Sequence, residues 1–179
     1  MNGARALNIP SAGAAGENVP QAWLVDARFS GLDEPGLAAH ARALSNTAGG
    51  CRYVSRSYRH PYALIASHDA PVGVDIERIE PRDPAFAETI CTPTERAAGW
   101  PHEHADRYLS ALWSSKEALA KALGDALAYD PRRLESPGAW PYGRSGPWRA
   151  APLATAPGHV AWLCWRNAVT RERAQSPVR

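Results

Sequence analysis

Two acidic residues, Asp75 and Glu77, lie two positions apart in the stretch VGVDIERI. Val74 and Ile76 alternate with them in the period-two pattern of a half-buried β-strand, so both carboxylates project from one strand face. Like charges this close repel each other, and a bound cation relieves the repulsion. Mg²⁺ prefers carboxylate oxygens completed by water or by phosphate. The pattern predicts a cation site, and the alternative is a strand face whose acids point into solvent.

A second set of candidate residues lies further along the chain, in LWSSKEALAK. Trp113, Glu117 and Lys121 recur at every fourth position, which places them on one face of a helix. Glu117 adds a third carboxylate, and the Lys121 amine can reach an anion held by the metal. Such a set can stabilise charge on a transferring phosphoryl group. The alternative is a helix-surface ion pair between Glu117 and Lys121, worth roughly 0.3–0.5 kcal/mol.

The elements that must position these residues predict a mixed fold of strands and helices. The acidic strand follows two other strands, and the links between the three are too short for a crossover helix, so an antiparallel meander is expected. A helix should begin at Thr92, which can act as N-cap in a capping box with Glu95. A long helix should end at Gly124. The predicted strands are 22–29, 51–57, 62–68 and 159–165, and the predicted helices are 36–46, the short one after Thr92, and 105–123.

Composition limits the class of protein. The 179 residues carry a net charge of +2, and the basic residues are dispersed, which argues against nucleic acid as a partner. Only two of the basic side chains are lysines, Lys116 and Lys121, and both lie in the helical motif. The three cysteines lack metal or disulfide spacing, and no membrane span or signal peptide is evident. The sequence therefore predicts a soluble cytoplasmic protein without a membrane partner.

The strand GVDIE, the helix start TPTE and the helix motif WSSKEALAK together resemble the signature motifs of the 4'-phosphopantetheinyl transferases, especially the surfactin-type branch. The resemblance covers residues 54–124 well. It implies an α+β fold of that family, with an antiparallel sheet packed against a long helix and two similar lobes, the first of them reduced. The corresponding division is a disordered leader over 1–20, a reduced N-terminal lobe over 21–70, a C-terminal lobe over 71–168 and a polar tail over 169–179.

The resemblance also implies an activity. The phosphopantetheine arm of coenzyme A would pass to a serine of an acyl or peptidyl carrier protein, releasing adenosine 3',5'-bisphosphate, as polyketide, nonribosomal peptide or fatty acid biosynthesis requires. By the same resemblance Asp75, Glu77 and Glu117 would bind Mg²⁺ against the pyrophosphate. Lys121 would contact phosphate and help the serine lose its proton, with Glu117 or a metal-bound water as the other candidate base. The Lys116 amine is also expected to reach a phosphate.

Two departures from the family pattern concern the segment before the acidic strand. The family's Ser-His-Ser element is replaced by Ser55-Arg56-Ser57, and Arg56 is expected to bind a coenzyme A phosphate as a permanently charged donor. The basic segment near the nucleotide 3'-phosphate has no counterpart unless Arg52 replaces it. The first lobe is short, so coenzyme A is held by fewer contacts, or self-association supplies the missing surface, or activity has been lost.

Two other functions stay open beside the transferase. One is a non-catalytic carrier-protein or coenzyme A binding module descended from such an enzyme, which the short first lobe and Arg56 favour. The other is an unrelated Mg²⁺-dependent phosphodiester hydrolase that uses the same carboxylates. For the transferase, the carrier is expected to meet an apolar surface formed by residues 92–100 and the start of the long helix.

Overall fold

Two four-stranded antiparallel sheets and four helices make up the part of the chain that a computed structural model describes, residues 4–10, 18–47 and 50–167. The strands are β1 Ala4–Ala6, β2 Gln21–Asp26, β3 Tyr53–Arg59, β4 Tyr62–His68, β5 Val72–Arg78, β6 Arg144–Ser145, β7 Trp148–Pro152 and β8 His159–Arg166. The helices are α1 Glu34–Thr47, α2 Pro84–Ile90, α3 Pro93–Ala98 and α4 Ala105–Leu123. Across these ranges no helix combines the length and the apolar character needed to cross a membrane.

The two sheets share the topology of three of their four strands. The strand order is β1-β2-β4-β3 in the first sheet and β5-β8-β7-β6 in the second. In each sheet a strand is followed, after a helix, by two further strands, and the last of the three lies between the other two. We call β2-α1-β3-β4 the first unit and β5-α4-β7-β8 the second unit. The chain passes from the first unit to the second between His68 and Val72, near the predicted lobe boundary. The predicted division into domains stays a prediction.

The predicted three-strand meander is wrong at its third strand. β3 and β4 pair as expected, but β5 pairs with β8, where Asp75 lies opposite Trp162. β5 instead runs alongside β3, joined to it through serine side chains. The Val74 N–H donates to Ser55 Oγ (3.0 Å) and the Ile76 N–H donates to Ser57 Oγ (3.3 Å). Each N–H lies 19 residues after the serine whose hydroxyl it contacts, so β3 and β5 run in the same direction. Serine hydroxyl groups replace the backbone hydrogen bonds that would join two parallel strands.

The hydrophobic core is layered around the two sheets. Leu64 of the first sheet packs with Val74, Ile76 and Leu163 of the second in one cluster between the sheets. The opposite face of the first sheet packs on α1, and the opposite face of the second packs on α4. Since successive side chains of a strand point to opposite faces, Val74 and Ile76 enter the core while Asp75 and Glu77 point toward α4.

Close contact between β5 and α4 depends on Gly73. A Cβ atom at this position would lie 2.0 Å from the Ala118 carbonyl oxygen and 2.5 Å from the Ala122 backbone nitrogen. Neither backbone atom can move without shifting the helix, so only glycine lets α4 pack this closely. The close packing places the helix side that carries Glu117 and Lys121 against the acidic strand.

The predicted helices are confirmed with their caps. Thr92 and Glu95 form both hydrogen bonds of a capping box, and Gly124 ends α4 in the left-handed conformation with φ of 88°. Neither α2 nor the β6–β7 hairpin was predicted from the sequence.

The prediction of a disordered leader is wrong for residues 4–6. These residues form β1, where Arg5 pairs with Leu24 of β2. The paired backbone supplies the hydrogen bonds that composition alone did not predict. Residues 1–3 and 11–17 of the predicted leader lie outside the described residues, as does the predicted polar tail.

A buried acidic centre where the two units meet

The two carboxylates of the acidic strand are buried. Asp75 is 3% exposed and Glu77 is 6% exposed, so the alternative of a solvated strand face is wrong. Burial in a low-dielectric interior makes a charged carboxylate costly unless it is paired. The partners of each carboxylate therefore define what the centre can bind.

Asp75 is held through one oxygen only. Its Oδ1 accepts hydrogen bonds from Lys121 Nζ (2.7 Å) and from Ser57 Oγ (2.8 Å). Its Oδ2 is buried and has no hydrogen-bond partner. Lys121 comes from α4 and Ser57 from the first unit, so both units position this side chain. The second oxygen is a ready ligand for a cation.

Glu77 is held by one residue from each unit. Trp113 Nε1 of α4 donates to its Oε1 (3.2 Å), and the Arg59 guanidinium of β3 pairs with its Oε2. Burial raises the pKa of Glu77, and repulsion from Asp75 raises it further, whereas the charge of Arg59 opposes both effects. A raised pKa means that the charged form lacks sufficient compensation. A cation near Glu77 would supply it.

Glu117 is half-buried and contacts a residue beyond the helix. The Tyr129 hydroxyl donates to Glu117 Oε1 at 2.6 Å. Burial raises the pKa of Glu117, and the charge of Asp75 adds to the effect. Burial and the neighbouring carboxylate also raise the pKa of Tyr129, which keeps its hydroxyl a proton donor. Lys121 pairs with Asp75, so the alternative of a Glu117–Lys121 surface pair is wrong.

The donor chemistry of the centre fits a hard divalent cation. Asp75, Glu77 and Glu117 supply carboxylate oxygens, the ligands that Mg²⁺ prefers, and the bare Asp75 Oδ2 is an unused acceptor among them. Within the described ranges, however, no three His, Cys, Asp or Glu side chains are gathered so that together they hold a metal ion. A shared cation would require these side chains to turn from their present protein partners, so their role as metal ligands stays a prediction.

The predicted phosphate contact of Lys116 is wrong. Its side chain is fully buried, and its ammonium donates to the Ile90 carbonyl (2.6 Å), Glu95 Oε2 (2.6 Å) and the Pro131 carbonyl (2.9 Å). These acceptors satisfy all three protons of the amine. Lys116 instead ties together the end of α2, the capping residue of α3 and the loop after α4. That loop also carries Tyr129.

The structure does not bring the two predicted coenzyme A arginines to the acidic centre. Alternation along β3 directs Ser57 toward the second unit and Arg56 toward α1, where its Nε donates to Ser45 Oγ at 2.7 Å. Arg52 is exposed beside the Tyr53 ring, 5.5 Å from its centroid. Contacts of Arg52 and Arg56 with coenzyme A stay predictions.

Three residues of the centre were missed as site residues. Ser57 and Arg59 share a face of β3, and period-two alternation alone would have placed them on one side of the strand. Their meeting with β5 required the tertiary arrangement of the two sheets. Tyr129 lies in an irregular loop, where no periodic pattern indicates the direction of a side chain.

Comparison with known families agrees with this geometry. A family model, the 4'-phosphopantetheinyl transferase superfamily, matches residues 71–139, a stretch that begins just before β5 and includes all of α4. The three carboxylates and Lys121 lie within it. The resemblance to this superfamily, recognised from the sequence motifs, is confirmed over this stretch, and the predicted α+β class is confirmed by the structure.

Individual relatives are similar to part of this chain. The chain is 39% identical over 75 residues to "4'-phosphopantetheinyl transferase psf-1" of Bacillus pumilus, which is 41% of this chain and 32% of the relative. It is 41% identical over 54 residues to a "Holo-[acyl-carrier-protein] synthase" of Streptococcus pyogenes serotype M1, which is 29% of this chain and 46% of the relative. The matches thus span less than half the length of these curated relatives.

Proposed function

We propose that this protein transfers the 4'-phosphopantetheine arm of coenzyme A to a serine of an acyl or peptidyl carrier protein, with Mg²⁺ as cofactor. The serine oxygen would form a bond to the phosphorus of the pantetheine phosphate as the pyrophosphate bond breaks. Adenosine 3',5'-bisphosphate leaves with the electron pair of that bond, and the serine proton passes to a base. The supporting observation is that the buried carboxylates of Asp75 and Glu77, with the half-buried Glu117 and Lys121 of α4, lie within the stretch that matches the superfamily.

The roles in this proposal follow from charge and burial. Asp75, Glu77 and Glu117 would hold the cation, which neutralises negative charge on the pyrophosphate. Lys121 already lies beside Asp75 Oδ1 at 2.7 Å and supplies a second positive charge for the phosphate oxygens. Burial raises the pKa of Glu117, which makes this carboxylate a better acceptor for the serine proton than an exposed one. The Tyr129 hydroxyl donates to Glu117 Oε1 and so opposes part of this rise in pKa.

The carrier protein would bind an apolar surface beside this centre. Trp100, after α3, stacks on Tyr108 of α4 with ring centroids 6.1 Å apart. Phe86 of α2 contacts Trp113, whose indole N–H binds Glu77. These half-buried aromatic rings offer a surface for an apolar helix of the carrier, and Trp113 links that surface to the acidic centre.

Mass spectrometry of an apo carrier protein tests the proposal. The protein, coenzyme A and MgCl₂ should add the mass of one phosphopantetheine to the carrier, and a chelator should prevent the gain. Glu117→Gln should remove it while the circular dichroism spectrum and melting temperature stay close to those of the parent protein. Calorimetric binding of coenzyme A with no mass gain on several acyl and peptidyl carriers would support the binding module instead.

A further inference from the structure

Arg59 holds an unusual position in the acidic centre. It is the last residue of β3, in the first unit, and its guanidinium crosses to the buried Glu77 of the second unit. Its Nε–H is buried and has no hydrogen-bond partner. Asp75 Oδ2, in the same centre, is a buried acceptor that likewise has none. The centre thus contains one buried donor and one buried acceptor that are both unsatisfied.

The two unsatisfied atoms call for ligands of opposite charge. Asp75 Oδ2 can coordinate a cation, whereas the guanidinium N–H can donate to an anionic oxygen. The net charge of the centre also favours a cation together with an anion. The three carboxylates with Lys121 and Arg59 carry a net charge of −1. A divalent cation alone would reverse that sign, and an accompanying phosphate would restore the balance.

Arg59 also has the freedom to change partners. Its side chain is 42% exposed, whereas that of Glu77 is 8% exposed, so the arginine can leave and the carboxylate cannot. A guanidinium is planar and binds phosphate with two parallel N–H donors. Lys121 is more constrained, because its amine also donates to the Val74 carbonyl at 3.2 Å.

We propose that Arg59 is the counterion that Glu77 exchanges for the divalent cation, and that the released guanidinium binds a phosphate of the ligand that enters with the cation. The phosphate part rests on the proposed function, whereas the exchange concerns the cation alone. Arg59 thereby couples the two binding events. Removing it should strengthen binding of the cation and weaken binding of the phosphate ligand, a pair of opposite effects that loss of structure would not produce.

Calorimetric titration of two variants tests the exchange. MgCl₂ alone is titrated into Arg59→Gln and into Arg78→Gln, a control at the end of β5 whose guanidinium donates to the His60 carbonyl (3.1 Å). Arg59→Gln should bind Mg²⁺ more tightly than the parent protein by roughly fivefold or more, because no guanidinium has to be displaced. Arg78→Gln should change the Mg²⁺ affinity by less than about twofold. An unchanged or weaker affinity in Arg59→Gln overturns the exchange.

A second titration, with coenzyme A at saturating Mg²⁺, tests the phosphate contact. Arg59→Gln should weaken coenzyme A binding by roughly tenfold, and the control variant should not. Arg59→Lys keeps the charge but loses the planar pair of donors. Its Mg²⁺ affinity should match that of the parent protein, and its coenzyme A affinity should lie between those of the parent protein and Arg59→Gln. Unchanged coenzyme A affinity in both variants overturns the phosphate contact.

The outcomes separate this inference from the proposed function. If both titrations behave as expected but no carrier gains mass, the coupling by Arg59 stands and the transferase does not. If carriers gain mass while Arg59→Gln leaves both affinities unchanged, the transferase stands and Arg59 has no coupling role. Should Arg59→Gln fail to fold, Arg59→Lys decides the phosphate contact, and parent-like coenzyme A affinity in that variant overturns it.

Discussion

The first strands of the two units place acidic residues in opposite electrostatic surroundings. Asp26, the last residue of β2, accepts from the side chain of Arg28 at 3.0 Å and 2.7 Å, and this contact lowers its pKa. On β5, by contrast, burial and mutual repulsion raise the pKa of Glu77. Asp26 is satisfied by Arg28, two residues later in the chain, whereas Glu77 lacks sufficient compensation for its negative charge. The same topology therefore surrounds the acid of one first strand with compensating charge and leaves that of the other in need of it.

The helices of the two units differ in the same way. The buried residues of α1 are Leu37, Ala41 and Ser45, with no charged side chain among them. α4 buries ten residues, including the fully buried Lys116, and turns Glu117 and Lys121 toward β5. A helix that contributes ligand-binding side chains has polar groups on its packed side. Other protein groups must hydrogen-bond to those polar groups, because a buried polar group without a partner destabilises the packing of the helix.

Lys116→Met should cause the largest loss of stability. It leaves Glu95 buried without its cation, so the free energy of unfolding should fall by about 3–5 kcal/mol in urea titration. The double variant Lys116→Met/Glu95→Gln should recover part of that loss, because no uncompensated charge remains. A loss below about 1 kcal/mol for the single variant would show that the buried pair does not support α4.

Gly73→Ala should force α4 away from β5. The added Cβ would meet backbone atoms at 2.0 Å and 2.5 Å, so the expected cost is about 1–3 kcal/mol together with a loss of transfer activity. Gly138→Ala is the control, since the nearest atom to its added Cβ is the Ser136 hydroxyl oxygen at 3.2 Å. Equal stability and activity in the two variants would contradict the claim that this contact positions Glu117.

Tyr129→Phe should act on Glu117 without unfolding the protein. The hydroxyl lowers the pKa of Glu117, so its removal should raise that pKa and move the acid limb of the pH–rate profile to higher pH. At pH values on that limb the transfer rate should drop by roughly two- to tenfold, the effect of losing one net hydrogen bond. An equal loss of rate at every pH would indicate a packing role only.

Mg²⁺ should stabilise the protein more at higher pH. Because burial raises the pKa of both Glu77 and Glu117, the folded state holds these protons more tightly than the unfolded state, and stability without metal falls as pH rises through those pKa values. Mg²⁺ competes with the same protons. The gain in melting temperature on adding MgCl₂ should therefore grow from about pH 5 to about pH 7, with NaCl of equal ionic strength as control. A gain that shrinks over this range would exclude these carboxylates as ligands.

Local rules predicted the elements of the site well. The capping box at Thr92, the extent of α4 and the alternation of Asp75 and Glu77 depend on neighbours within a few residues, which a sequence shows directly. The matching spacing of Trp113, Glu117 and Lys121 correctly placed them on the helix side that faces the acidic strand: Trp113 binds Glu77 and Lys121 binds Asp75.

Relations between distant segments could not be read in the same way. β5 joins β8, more than eighty residues away by the pairing of Asp75 with Trp162, and no local pattern distinguishes this partner from β4. The motif position of Lys116 suggested a phosphate contact, but its three acceptors come from segments whose approach depends on the packed fold. Arg59 became a partner of Glu77 only because β3 and β5 run side by side.

In the proposed function Asp75, Glu77 and Glu117 bind the cation that neutralises the pyrophosphate, whereas Asp26 of the first unit only pairs with Arg28. The most direct measurement is the mass gain of an apo carrier protein incubated with Asp75→Asn or with Asp26→Asn, each with coenzyme A and MgCl₂. Asp75→Asn should give no phosphopantetheine addition, and Asp26→Asn should give the full addition. Full addition by Asp75→Asn, in a variant that melts like the parent protein, would show that the Asp75 carboxylate is not needed for transfer.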